Sequence, residues 1–469
     1  MSCEDRTSDH AIEGPHAGVG EDATRPTPNK SGARLMAEKI FRDAVHGDIA
    51  LDAQVEVALI DTPEFQRLRG IKQLGTASMV YPSALHSRFE HSLGTSHLAR
   101  RIVTSVEAAQ GPFADADEKR ALYAAALLHD VSHIPYGHTF EDERHIFPRH
   151  DEPARFAAFL RSGEIGRVLQ RLGLLEAVER ILCGGGCRPV LRDIVSGTIC
   201  SDLLDYLARD TFFCGLSGAW DARLFRCFRV DGSTDRLYLD AQKDGIIRED
   251  ALSEVVNLLR LRYFLSERVY FHHSKTASGA MISRAVECAV NEGLRLEEMF
   301  GLRDDTLLYL LDQRYGRVPA VRCLLDHVFS HRLYKRAYVL TRRVGEEKQA
   351  ALIRSFHSDR AAREEAERSL SKRLRLKDGE LVVYCPSSRM QLKEADVLVR
   401  IDEGRPRSLR ELALPEIEVL TGRHRDLWRF YVFVAPRHVE RLRAVGAACE
   451  AWFQSPNELP ALQTGQLYL

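Results

Sequence analysis

Apolar residues recur at helical spacing along most of this 469-residue chain, and that pattern commits it to a helical core. Over residues 93–109, Leu98, Ile102, Val103 and Val106 fall on one face. Residues 118–130 read as a compact apolar helix ending in His129-Asp130, and 250–300 are strongly helical. Residues 152–182 predict two further helices, and 190–213 another. Asp61-Thr62-Pro63-Glu64 has the form of a helix start: a capping residue, a proline near the first position and an acidic first turn. Strand signals are short. They lie at 39–55, in a hairpin over 223–240 turning at Asp231-Gly232-Ser233, and at 380–385, 396–401 and 428–435. Arg360 to Arg375 reads as a charge-rich helix with a solvated face, and 437–454 as a last amphipathic helix. Residues 1–33 are polar, rich in Gly and Pro and poor in aromatics, which predicts a disordered tail. The expected fold is mainly α: the tail, a helical core over 34–315, and a mixed α+β lobe over 316–469.

Composition narrows the function classes. The formal net charge is -1, so no global basic field points to nucleic acid or a membrane surface. A local nucleic-acid contact stays open, because stretches such as Arg332 to Arg336 and Lys372 to Arg375 are basic, although each reads first as a solvated helix face. The ten cysteines are scattered, and Cys200, Cys227, Cys288, Cys323 and Cys449 sit in apolar helix-like stretches, as reduced core thiols do. Cys183 and Cys187 flank three glycines, but a single pair is a weak zinc signal. No stretch approaches the roughly 18 apolar residues of a membrane span. The first residues lack an apolar signal region, so the expected location is cytoplasmic.

The chemistry concentrates in four residues: His91, the adjacent His129 and Asp130, and Asp202. Two imidazoles and two carboxylates make a borderline-hard donor set suited to a divalent Fe, Mn, Zn, Ni or Mg ion. Four protein ligands leave open positions for water and a phosphate oxygen, as metal-assisted phosphoester hydrolysis requires. A His-Asp dipeptide alone is common by chance, and a helix-terminal histidine is more often a cap or core residue than a ligand. The surroundings add weight. His133, His138, His145 and His150 follow, with Glu141 close after His138, and the apolar helix breaks at Pro135 and Gly137 where a loop would present them. His145 reads as a surface residue. The others form a proton-handling set.

The strings DTPEFQRLRGIKQLG, HSRFEHSLG, LLHDVSHIPYGH and SDLLDYLARD, in this order and spacing, resemble the HD-domain dNTP triphosphohydrolase family. The likeness is nearest to vertebrate-type members that carry an added SAM domain and to their bacterial dGTPase relatives. It runs from about Lys39 to Val434; no SAM domain is expected here, only the polar tail. The resemblance implies an HD-domain helical core with small β hairpins and a C-terminal α+β lobe. It implies His91, His129, Asp130 and Asp202 as metal ligands, and Arg88 on the α-phosphate. His133, His138 and His150 would surround the scissile phosphate, with His138 protonating the leaving 5′ oxygen and Glu141 orienting it. Gln73 and Leu74 would lie under the sugar, Tyr206 against its C2′ side, and Asp210 on its 3′-OH. Arg262 would face the phosphates, and Tyr270 the base. Lys39, Ile40, Asp61, Gln66 and Arg69 match residues that hold an activating guanine nucleotide between subunits; read alone, Asp61 is a helix N-cap and Arg69 part of a solvated face.

The activity so implied releases deoxynucleoside and tripolyphosphate from a dNTP, with Mg on the nucleotide phosphates, GTP or a dNTP as effector, and a homo-oligomer (dimer or tetramer). Control of the dNTP pool and antiviral defence are the roles it suggests. One departure stands out. Leu203 follows Asp202 where the nearest relatives place a phosphate-touching lysine, and Arg209, Arg268 or His273 are the candidate substitutes. Two rival readings exist: an HD phosphohydrolase acting on another nucleotide or a nucleic-acid end, and a non-catalytic nucleotide sensor.

Overall fold

The structure, a computed structural model, describes residues 38–388, 390 and 392–464. The expected polar tail therefore lies outside the described residues. The fold is mainly helical, with four small sheets among the described residues. The chain enters through an antiparallel hairpin, Glu38–Asp43 with Gly47–Asp52. The 23-residue helix Arg88–Gln110 follows; Glu90 reaches back to accept from the Ser87 backbone N–H and close its first turn. Ala116–Leu128 is capped by the Asp115 side chain on the Glu118 N–H and ends at His129. These two helices and Ser201–Phe213 bury Leu98, Ile102, Leu122, Leu127, Leu204 and Leu207 in one core.

Several sequence expectations are revised. The segment 152–182 holds three short helices, Pro153–Arg161, Gly163–Arg171 and Leu175–Cys183, because Ser162 and Gly173 interrupt the apolar period. The 190–213 helix breaks at Gly197 into Pro189–Ser196 and Ser201–Phe213. At 61–66 the helix Pro63–Gln66 is one turn long; Thr62 is its N-cap, and Asp61 caps the end of Glu56–Ile60 instead. A further helix, Leu459–Gln463, follows Leu442–Phe453.

The strand signals at 381–384, 398–400 and 429–434 are all strands, but they do not share a sheet. Leu398–Arg400 pairs in parallel with Arg236–Asp240, beyond which Phe228–Asp231 completes the hairpin. The segment carrying Leu392, Val399, Leu409 and Ile417 thus packs into the first core. The other sheet runs Lys335–Thr341, Arg429–Val434, Leu381–Tyr384. Alternation along its central strand sends Tyr431 and Phe433 into a second core, with Met281 and Phe140, and Phe430 and Val432 into a third, with Trp428 and Phe453. The second core takes in Ile134, Tyr136 and Phe147, so the C-terminal sheet supports the histidine-rich loop.

Candidate metal centre and its histidine wall

His91 lies in the first turn of Arg88–Gln110, His129 and Asp130 just past Ala116–Leu128, and Asp202 in the first turn of Ser201–Phe213. Three helix ends thus bring the four predicted ligands together. His91 Nε2 is 3.1 Å from His129 Nε2, 3.1 Å from Asp202 Oδ1 and 3.7 Å from Asp130 Oδ2. His129 Nε2 is 3.6 Å from both Asp202 Oδ1 and Asp130 Oδ1. The other nitrogen of each imidazole is occupied: His91 Nδ1 is 2.7 Å from Asp205 Oδ2, and His129 Nδ1 is 2.8 Å from the Ala126 carbonyl. Both acceptors need an N–H, so both Nε2 lone pairs face the same point.

Such a cluster demands positive charge. Burial opposes a charge on His91, yet hydrogen bonds with Asp202 and Asp205 outweigh it and raise its pKa to about 10. Burial likewise opposes ionisation of Asp202, but His129 and His91 hold its pKa below the usual range. A divalent cation meets the same demand, and two imidazole nitrogens with carboxylate oxygens are a donor set that fits one. His91, His129, Asp130 and Asp202 would hold it, with Asp130 at the edge, where its Oδ2 also accepts from Arg88 Nη1 at 2.5 Å.

Asp130 joins this cluster to a second. Its Oδ1 is 3.3 Å from His133 Nε2. The His133 ring stacks on His150 at 3.5 Å between centroids, and His138 stands edge-on to both at 4.9 and 5.1 Å. His133 is buried, and burial together with Arg88 and His150 pushes its pKa well below the ordinary histidine value, so it is neutral. His138 is the exposed member. Its carboxylate partner differs from expectation. Glu141 bonds His150 Nδ1 at 2.9 Å and Arg155 at 3.2 Å, and stays 3.8 Å from His138; Asp142 lies 3.1 Å from His138 Nδ1. The cause is a π-helical turn over Thr139–Glu143, whose wider winding turns Glu141 inward and Asp142 toward His138.

The expected sugar and base residues assemble along the helix that carries Asp202, with Tyr206 and Asp210 one and two turns beyond it. Asp210 accepts from Tyr270 Oη at 2.6 Å and lies 2.9 Å from His86 Nε2. Arg262 sits over the Tyr206 and Tyr270 rings at 5.2 and 5.0 Å and pairs with Glu394 at 3.3 Å. It therefore braces the two tyrosines instead of standing free for phosphate. Gln73 is half-buried, with its carbonyl oxygen unpartnered, and Leu74 packs on the first core. Leu203 is buried in that core. Arg209 cannot replace the missing lysine, because it is buried and spent on Asp205 and Asp43. Arg268 is exposed over Phe264, and His273 stacks on His272.

The expected effector residues share one surface. Lys39 lies 5.4 Å from the Phe41 ring, Phe41 meets Phe89, and the Arg69 guanidinium covers Phe89 at 3.5 Å. Arg69 also donates to Gln66, which donates to the Ile60 carbonyl; Asp61 and Ile40 are exposed. Sequence reasoning missed His46, His86, Asp142 and Asp205. The near-adjacent Asp205 and Arg209 in SDLLDYLARD carried the only sequence signal, and it reads as an ordinary helix salt bridge.

A mixed imidazole–carboxylate cluster at three helix ends, flanked by neutral and exposed histidines, is one that could hold a divalent metal ion. The HD domain family model matches residues 88–209, and the HD associated region model matches 237–455. Residues 88–209 thus carry an HD domain, followed by the region associated with it. The uncharacterized protein YwfO of Bacillus subtilis is 32% identical over 260 residues, 55% of this chain and 57% of that protein. The deoxynucleoside triphosphate triphosphohydrolase SAMHD1 of Mus musculus is 28% identical over 363 residues, 65% of this chain and 55% of that protein. The chain thus spans little more than half the length of these curated relatives. A hypothetical protein from Aquifex aeolicus shares the fold with a TM-score of 0.66 and 25% identity, covering 87% of this chain and 100% of that one. Among the described residues no helix is long and apolar enough to cross a membrane.

Proposed function

We propose that this chain is a metal-dependent dNTP triphosphohydrolase that releases deoxynucleoside and tripolyphosphate. The observation that carries the reading is the meeting of His91, His129, Asp130 and Asp202 beside the His133–His138–His150 wall, with Tyr206 and the Asp210–Tyr270 pair on and against the helix of Asp202. A bound divalent ion would polarise a phosphate oxygen and acidify a water. Arg88, fixed beside Asp130, offers its guanidinium to the α-phosphate. Water adds to the α-phosphorus and gives up a proton, the bond to the 5′ oxygen breaks, and His138 gives that oxygen a proton, which the one released by the water replaces. Asp142 holds His138, and Glu141 holds His150. Asp210, fixed by Tyr270 and His86, accepts the 3′-OH, while Tyr206 closes the C2′ side. The surface of Lys39, Ile40, Asp61, Gln66 and Arg69 is proposed to take GTP or a dNTP effector in a homo-oligomer.

Buried Leu203 and the engaged Arg209 and Arg262 favour keeping a second reading: an HD phosphohydrolase whose substrate carries fewer phosphates. Product analysis separates the two. Purified protein is incubated with each dNTP, singly and mixed, and separately with each deoxynucleoside monophosphate, with GTP, Mg²⁺ and Mn²⁺, and Asp130→Ala serves as the blank. Tripolyphosphate and deoxynucleoside, absent from the blank, are the expected products. Turnover of monophosphates alone would move the assignment to the second reading.

A further inference from the structure

We infer that Asp205 and His46 are positioning residues for the metal ligand His91, and that the turn of the N-terminal hairpin is thereby part of the metal centre's support. This rests on the reading of His91 as a ligand. Asp205 is wholly buried, and four N–H groups converge on its carboxylate. His91 Nδ1 lies 2.7 Å from Oδ2, His46 Nε2 2.6 Å from Oδ1, Arg209 Nε 2.8 Å from Oδ2 and Arg209 Nη2 2.9 Å from Oδ1. An ionised carboxylate has about four acceptor sites and no proton to give. Every partner must therefore be a donor, which leaves a neutral His91 only the tautomer with hydrogen on Nδ1 and its Nε2 lone pair directed at His129 and Asp202.

His46 brings in the hairpin. It closes the turn between Glu38–Asp43 and Gly47–Asp52, where Asp43 Oδ1 accepts the backbone N–H groups of Val45 and His46 at 2.9 and 2.8 Å. The other Asp43 oxygen accepts from Arg209 Nη1 at 2.8 Å. The turn is pinned twice to the Asp205–Arg209 pair, once through each residue. Gly94, three residues past His91 on the same helix, makes room for this arrangement. A Cβ there would collide with the Asp205 carboxylate and the Arg209 guanidinium, neither of which is free to yield.

The test is metal affinity, read by competition between the Mn²⁺-loaded full chain and a chromogenic chelator. His46→Leu, Gly94→Ala and Asp205→Asn are each expected to weaken binding by about 10- to 100-fold, the usual cost of losing a group that orients a metal-bound histidine. Asp205→Asn puts an N–H₂ among donors and frees His91 to adopt the wrong tautomer. His46→Gln keeps an N–H for Asp205 and is expected to bind Mn²⁺ close to the wild-type value. Wild-type affinity in His46→Leu and Gly94→Ala, with binding lost in His91→Ala, would overturn the inference and leave the ligand assignment intact. Equal weakening by His46→Gln and His46→Leu would also overturn it, by making the contact one of shape and not of hydrogen bonding. Unchanged binding in His91→Ala would instead sink the ligand assignment, and this inference with it.

Discussion

Gly137 has φ 53°, and a Cβ at this position would run into the Arg88 guanidinium. A side chain here meets two separate costs: the left-handed backbone, about 1–2 kcal/mol, and displacement of an arginine that bonds Asp130. Gly111 has φ 84° with open space around its missing Cβ, so Gly111→Ala carries the first cost without the second. Steady-state kinetics on the two variants should therefore diverge. Gly137→Ala is expected to lose on the order of 10²-fold in kcat/KM, the scale of a 1 Å misplacement near the reacting centre, while Gly111→Ala loses stability alone. Equal kinetics would show that Arg88 does not act at the phosphate. At this scale the four residues that cluster were legible from their place in HSRFEHSLG, LLHDVSHIPYGH and SDLLDYLARD, although a His-Asp pair alone carries little signal. Asp205 and His46 were not, since their role lies in a contact between residues 159 positions apart. Nor could a sequence tell whether Glu141 or Asp142 serves His138, because an α turn and a π turn aim neighbouring side chains differently.

The π turn Thr139–Glu143 is an element that helical periodicity does not announce, and the structure secures it from behind. Arg144, the next residue, is fully buried and donates to Glu287 at 2.5 Å, Glu367 at 3.0 Å and the Val383 carbonyl at 2.7 Å. Arg363 donates to the Arg144 carbonyl at 2.9 Å, and Arg284 bridges Glu287 and Glu367. The helix Arg360–Leu374, read from sequence as a solvated charged face, thus turns Arg363 and Glu367 inward. Its run of mixed charge looked like surface because pairing, which makes burial tolerable, is a tertiary fact. Removing one member of such a network strands the others. Arg144→Met is expected to cost about 3–5 kcal/mol, read as a shift of the urea midpoint. A change below about 1 kcal/mol would mean that Glu287 and Glu367 find other partners. The long helices were legible from their period; the breaks at Ser162 and Gly197 and the parallel pairing of Leu398–Arg400 with Arg236–Asp240 were not, since strand partnership depends on which face is left open.

Across the whole molecule, histidine ionisation sets how acid acts on stability. His97, His273 and His424 each have a pKa depressed to about 4. Burial is the largest cause in each, reinforced by His46 and Arg101 at His97, by Arg336 and His272 at His273, and by Arg262 at His424. In the unfolded chain each takes its proton near the ordinary value of about 6.5. Between pH 6.5 and 4 the unfolded state therefore binds more protons than the folded one, and stability falls as pH falls through that window. His91 does not oppose this. Its raised pKa keeps it charged in the metal-free folded protein, and below pH 6.5 it is charged in the unfolded chain too. The lowered carboxylates, Asp130 and Asp202 among them, add their own loss only below their unfolded values, near pH 4. The melting temperature followed by circular dichroism is thus expected to rise as pH falls from about 8 toward about 6.5, where the raised His91 and His129 hold protons that the unfolded chain gives up, and to decline below about pH 6.5, well before carboxylates titrate. His424→Gln, placed against Ser266 and remote from the four ligands in sequence, should make that decline shallower. A melting temperature that held level down to pH 4.5 would show that these histidines take up protons in the folded protein, and that the burial assigned to them is relieved by local opening.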